Sequence, residues 1–177
     1  MNLMGLDLSL TSTGCCINEE SFVIKPKSKG AERLSIVSDI IVATAIAKNI
    51  NIVLIEGYAF GARNSQSHSI GELGGAVRMK LWESKIQFID IPPTCRAKFA
   101  TGKGNAGKNE VISSISAKTG IVWSGGGADD MCDAWILEQM AMAKIGISRY
   151  DWNKLQLSAL DSIEWGPLTN MMELSEK

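Results

Sequence analysis

The sequence predicts an α/β fold, a β-sheet covered by helices, and three observations lead there. Apolar or β-branched runs too short for helices recur near residues 1–10, 50–57 and 85–93. Segments with apolar residues at three- and four-residue spacing lie between and after them. The strands concentrate in the first half of the chain, separated by enough residues for crossover helices. At 177 residues the chain is long enough to bury a sizeable core.

MNLMGLDLSL reads as the first strand, and the turn TSTG leads to a second short strand, either CCINEE or SFVIK. After the lysine-rich KPKSKG, residues 31–48 place Leu34, Val37, Ile41, Ala45 and Ile46 at helical spacing. NIVLIEG suits a strand buried on both faces and ends at Glu56. YAFGARNSQ reads as a loop, and residues 66–84 as a helix with Ile70, Leu73, Ala76, Val77 and Leu81 on one side. KIQFIDIPP is a strand stopped by two prolines. RAKFATGKGNAGK, rich in small and basic residues, reads as a loop feeding a helix over 108–118. SGGGADD opens a further helix from about Asp129 to Ile145, and the last 30 residues read as a surface extension with two tryptophans. Residues 1–145 thus form the expected domain and 146–177 a C-terminal extension.

The hydrophobic fraction of 45% and charged fraction of 21% are those of an ordinary globular protein. A formal net charge of −1 gives no global basic field, so nucleic acid could be held only by a local patch. The cysteines, Cys15, Cys16, Cys95 and Cys132, have no zinc-binding spacing and read as reduced thiols of a cytoplasmic protein. The sole histidine, His68, argues against chemistry built on a histidine base.

Carboxylates stand out instead. Asp7 lies inside an apolar strand, and burying an unpaired charge costs several kcal/mol unless a cation, proton or strong partner meets it. Glu56 ends a second buried strand. In ADDMCDAW, both Asp129 and Asp130 share a helical face with Asp133. Acids at a helix N-terminus are expected from capping and the macrodipole, which accounts for Asp129 and Asp130 but not for Asp133 one turn in. Oxygen donors from two strand ends and a facing helix suit hard divalent cations. Two such ions about 3.5–4 Å apart activate a water against a phosphodiester.

GLDLSLTSTG, IVLIEG with its following loop and helix, PPTCRAKFATGKGNAGKNEV and ADDMCDAW together resemble, in that order, the RuvC-type Holliday junction resolvases. The resemblance spans residues 3–143, and the compact chain looks more like the phage-encoded members. It implies an RNase H-like mixed five-stranded sheet flanked by helices, a homodimer, and Mg²⁺-dependent nicking of branched DNA by two ions, with Mn²⁺ able to substitute. The family's four acids fall on Asp7, Glu56, Asp130 and Asp133, with Asp129 as the alternative to Asp130. Lys108 matches a family lysine near the scissile phosphate, and Lys98 a second basic position on the DNA path.

From Pro92 to Asn109 the chain carries Arg96, Lys98, Lys103 and Lys108 without an acid, the local patch that phosphate contacts require. Gly102 to Lys108 is not a Walker A loop, because Asn109 stands where serine or threonine is needed. Tyr58 and Phe60 flank Ala59, the position of the family's base-wedging aromatic; Phe60 is the candidate wedge, and Arg63 and Arg78 are further candidate phosphate contacts. GELGGA permits close helix approach, and in the family the corresponding helix contributes to the dimer interface. DLSLTSTG also resembles the phosphate loop of actin-like sugar kinases, which need a second domain and far more chain than 177 residues. A non-catalytic DNA-junction-binding module, or an RNase H-like nuclease with broader branched-DNA or hybrid substrates, are the remaining alternatives.

Overall fold

The structure is a computed structural model and describes residues 1–58 and 65–175. Five strands, β1 (Leu3–Asp7), β2 (Thr13–Ile17), β3 (Glu20–Ile24), β4 (Ile52–Glu56) and β5 (Gln87–Ile91), form one sheet in the order β3-β2-β1-β4-β5. β1, β4 and β5 run parallel, whereas β1–β2 and β2–β3 pair antiparallel. The mixed five-stranded sheet flanked by helices is the architecture expected from the sequence.

Alternation along the strands sorts the core into two layers. Met4, Leu6, Val53 and Ile55 face α1 (Gly30–Ala47) and α2 (Ser65–Glu83), whose Val37, Ile41, Ala45, Leu73, Val77 and Leu81 are buried against them. Ile46, expected on the same face of α1, is exposed. Leu3, Ile52, Leu54, Ile89 and Ile91 face the opposite layer, built on α5 (Ala128–Lys144) with α3 (Pro93–Thr101) and α4 (Lys108–Thr119). β4 is therefore buried on both faces, as its unbroken apolar run requires.

Both alternatives for the second strand are strands. Ile17 pairs with Glu20, leaving a two-residue turn at Asn18 and Glu19 with φ of 53° and 65°. Two successive left-handed residues match the twist of a hairpin but normally call for glycine or asparagine. Here the buried Glu138 of α5 accepts the Asn18 N–H at 2.7 Å and the Glu19 N–H at 2.8 Å, holding the turn from outside.

Two expectations need correction. The basic segment after β5 is not all loop: residues 93–101 form α3, started by Pro93, with Cys95, Ala97, Phe99 and Ala100 buried. Nor are the last 30 residues a surface extension. Trp152, Leu160, Ile163, Trp165 and Leu168 are buried in the α5 layer, around α6 (Lys154–Leu157) and before α7 (Gly166–Ser175) and within it. Trp152 stacks on Phe99 at 4.2 Å between ring centres, so the chain's end closes the core over α3. No helix among the described residues is long and apolar enough to cross a membrane.

Candidate active site

Asp7 and Glu56 are the last residues of β1 and β4, adjacent parallel strands in which Leu6 lies opposite Ile55. Their side chains therefore leave the same face at the carboxyl end of the sheet, where open α/β sheets place their ligands. The third acid arrives on α5, which lies unusually close to the sheet. A Cβ on Gly5 would stand 1.9 Å from the Ala134 carbonyl oxygen, and one on Gly14 would stand 2.0 Å from that of Asp130. Two glycines on β1 and β2 thus let the helix backbone rest on the strands and bring Asp133 over Asp7.

Each of Asp7, Glu56 and Asp133 offers an oxygen within 4.8 Å of the others. Burial, reinforced by Glu56 and Asp133, holds the Asp7 carboxyl well above its ordinary value. Burial also pushes Asp133 up to about 7, against the pull of Arg96. Three carboxylates crowded so closely are a donor set suited to a hard divalent cation. They line a cavity of about 380 Å³ together with Tyr58, Arg96 and Lys108.

The remaining candidates distribute unevenly. Asp130 is not in the three-acid group; it sits beside Ser12 and Gly14, where burial raises its carboxyl, and is near enough to raise Asp7. Asp129 is engaged by Lys108 at 2.5 Å, which lowers the acid and raises the lysine. Lys108 thus reaches the cavity wall from the start of α4. Lys103 is exposed and pairs with Glu110 at 2.8 Å, while Lys98 is half-buried on α3. Tyr58 stands at the cavity rim under the Arg78 guanidinium, 4.9 Å from its ring centre. Arg78 is committed to Asp90, which leaves it poorly placed as a free phosphate contact. Phe60 and Arg63 lie outside the described residues.

Arg96 is the residue whose place the sequence misassigns. Expected on a DNA-facing loop, it is half-buried within the acid group. Its Nε and Nη2 donate to the two Glu56 carboxylate oxygens at 3.1 and 3.2 Å, and its Nη1 donates to Asp133 Oδ1 at 2.5 Å. No local signal in the sequence marks its partners. Glu138 also went unremarked, because its role is to hold a turn distant in sequence.

No family model matches the chain. Two curated proteins match along most of it. The crossover junction endodeoxyribonucleases RuvC of Prochlorococcus marinus strains NATL2A and NATL1A are each 28% identical over 158 residues, covering 83% of this chain and 98% of theirs. Among solved structures, T. thermophilus RuvC in complex with a Holliday junction substrate superposes with a TM-score of 0.65 at 19% identity, covering 85% of this chain and 99% of that one. The yeast mitochondrial Holliday junction resolvase Ydc2 gives 0.55 at 15% identity, covering 82% and 81% of the two chains. In sequence and in its RNase H-like fold, the chain is RuvC-like.

Proposed function

We propose that this protein is a metal-dependent endodeoxyribonuclease that resolves Holliday junctions and related branched DNA, nicking strands symmetrically as a homodimer. The observation that carries the reading is the convergence of Asp7, Glu56 and Asp133 at the carboxyl end of a RuvC-like sheet. These three hold the divalent cation, with Asp130 joining them from the first turn of α5. The chemistry supplied by two bound Mg²⁺ ions, or Mn²⁺ in their place, is activation of a water and stabilisation of the leaving oxygen.

The chain's own groups prepare the phosphate. Lys108, largely exposed and paired with the partly exposed Asp129, can exchange that partner for a phosphodiester and oppose the charge that builds in the transition state. Lys98 and Lys103 supply further contacts to the DNA backbone. Tyr58 offers an aromatic face to unstacked bases at the branch, and Phe60 and Arg63, which follow it in the sequence, are the further candidates for contact there.

A synthetic four-way junction and a linear duplex of the same sequence, each with Mg²⁺ or with EDTA, test the reading. Metal-dependent paired nicks in the junction alone are expected. Equal cutting of the linear duplex would reject structure selectivity, and cutting in EDTA would reject the metal.

A further inference from the structure

Arg96 does more than neutralise a neighbour. Its guanidinium takes both oxygens of Glu56 and one of Asp133, three of the atoms that a cation entering this group would use. The fork takes one lone pair on each Glu56 oxygen, and its positive charge opposes a cation approaching the others. Among the described residues, the guanidinium leaves Asp7 and the second oxygen of Asp133 unengaged. The pairing is also shielded: the Arg96 and Glu56 side chains are 12% and 13% exposed.

The backbone of Arg96 is anchored while its head borders the cavity. Cys95 and Ala97, on either side of it in α3, are buried, which fixes the backbone. The long side chain, however, ends in the cavity that Lys108 and Tyr58 also line. A guanidinium fits a phosphate as well as a carboxylate, by the same two-pronged geometry. A phosphodiester entering this cavity therefore offers Arg96 an equivalent partner.

We propose that Arg96 is a resident counter-ion that closes Glu56 to divalent cations in the free protein and yields it when a DNA phosphate takes the guanidinium. The proposal rests on the reading of the three acids as a cation site. Its consequence is reciprocal coupling: DNA tightens metal binding, metal tightens DNA binding, and the free protein holds its ions weakly. A nuclease so built is poorly armed until its substrate arrives.

Mn²⁺ titrations followed by the electron-spin signal of the free ion test this without reference to cleavage. Arg96→Gln should bind Mn²⁺ about tenfold more tightly than the wild type, with Arg96→Lys between them. In the ¹⁵N spectrum of the wild type, the Arg96 Nε–H resonance should move on addition of Mg²⁺, and also on addition of junction DNA in EDTA. Equal or weaker Mn²⁺ binding by Arg96→Gln, with the wild type binding normally, would overturn the role of Arg96 alone. Absence of Mn²⁺ binding in both proteins would overturn the cation site itself. Should Arg96→Gln fail to fold, Arg96→Lys and the wild-type resonance decide: a signal unmoved by saturating Mg²⁺ rejects the proposal.

Discussion

Asp7→Asn is expected to retain junction binding, to lose cleavage by more than about a hundredfold, and to raise the melting temperature of the metal-free protein. Removing a group that only orients a metal ligand costs about 10–100-fold, so a direct ligand must exceed that range. The gain in stability follows from the same crowding. Asp7 is held above its ordinary value first by burial, then by Glu56 and Asp133, so a neutral amide relieves its neighbours. Relief of about 1–2 kcal/mol corresponds to roughly one pKa unit at a neighbouring acid. A pH dependence accompanies it. Folded Asp133 keeps its proton to about pH 7, whereas the unfolded carboxyl loses it near pH 4. Between those values the folded state binds more protons, so stability falls as pH rises through that window. Melting curves of the metal-free wild type should show this decline, and saturating Mg²⁺, which favours the ionised carboxylates, should flatten it. A metal-free melting temperature that is level across the window would reject the crowded-acid account.

Gly5→Ala is expected to cost about 3 kcal/mol or more, at the upper end of what overpacking does. Its Cβ would meet three backbone atoms, the Ala134 carbonyl oxygen at 1.9 Å, the Ala134 carbonyl carbon at 3.0 Å and the Glu138 nitrogen at 3.0 Å, and none can turn aside as a side chain would. α5 must lift from β1, and Asp133 lifts with it. Calorimetry should therefore show a fall in melting temperature of about 6–12 °C for a chain of this size. Mn²⁺ binding should weaken in parallel. Gly75 in α2 has nothing within 4 Å of its Cβ position, so Gly75→Ala serves as the control. A Gly5→Ala variant that melts with the wild type would mean that the close approach of helix and strand does not hold the site.

The parts of this molecule legible in its sequence are those governed by short-range periodicity. β4 announces itself as an apolar run, α1 and α2 by their spacing, and Asp7 and Glu56 by being acids where acids are costly. The parts that were illegible depend on partners far along the chain. The turn at Asn18 and Glu19 lacks glycine because Glu138 holds it. α3 is nine residues long, too short for its buried Cys95, Ala97 and Phe99 to establish a period among basic residues. Trp152 and Trp165 lie in a polar stretch that reads as surface, yet both rings are buried. Arg96 shows the limit most plainly. A cation in a basic segment reads as a phosphate contact, and only the packing of α3 against α5 reveals that carboxylates reach it first.

The contact between α5 and the sheet also sets the chemical reactivity of the chain. Cys15 and Cys16 on β2 and Cys132 on α5 are fully buried, and burial, aided by nearby carboxylates, holds all three thiols far from ionisation. Thiolate is the species that reacts with alkylating and disulfide reagents, so all three are inert in the folded protein. Cys16 and Cys132, which lie in the α5 layer, become reactive when α5 separates from β2, the movement that also parts Asp133 from Asp7, whereas Cys15 faces the layer of α1 and α2. The labelling rate of Cys16 and Cys132 is accordingly a clock for disassembly of the acid site. A bound divalent cation should slow it by the factor with which it stabilises the closed state.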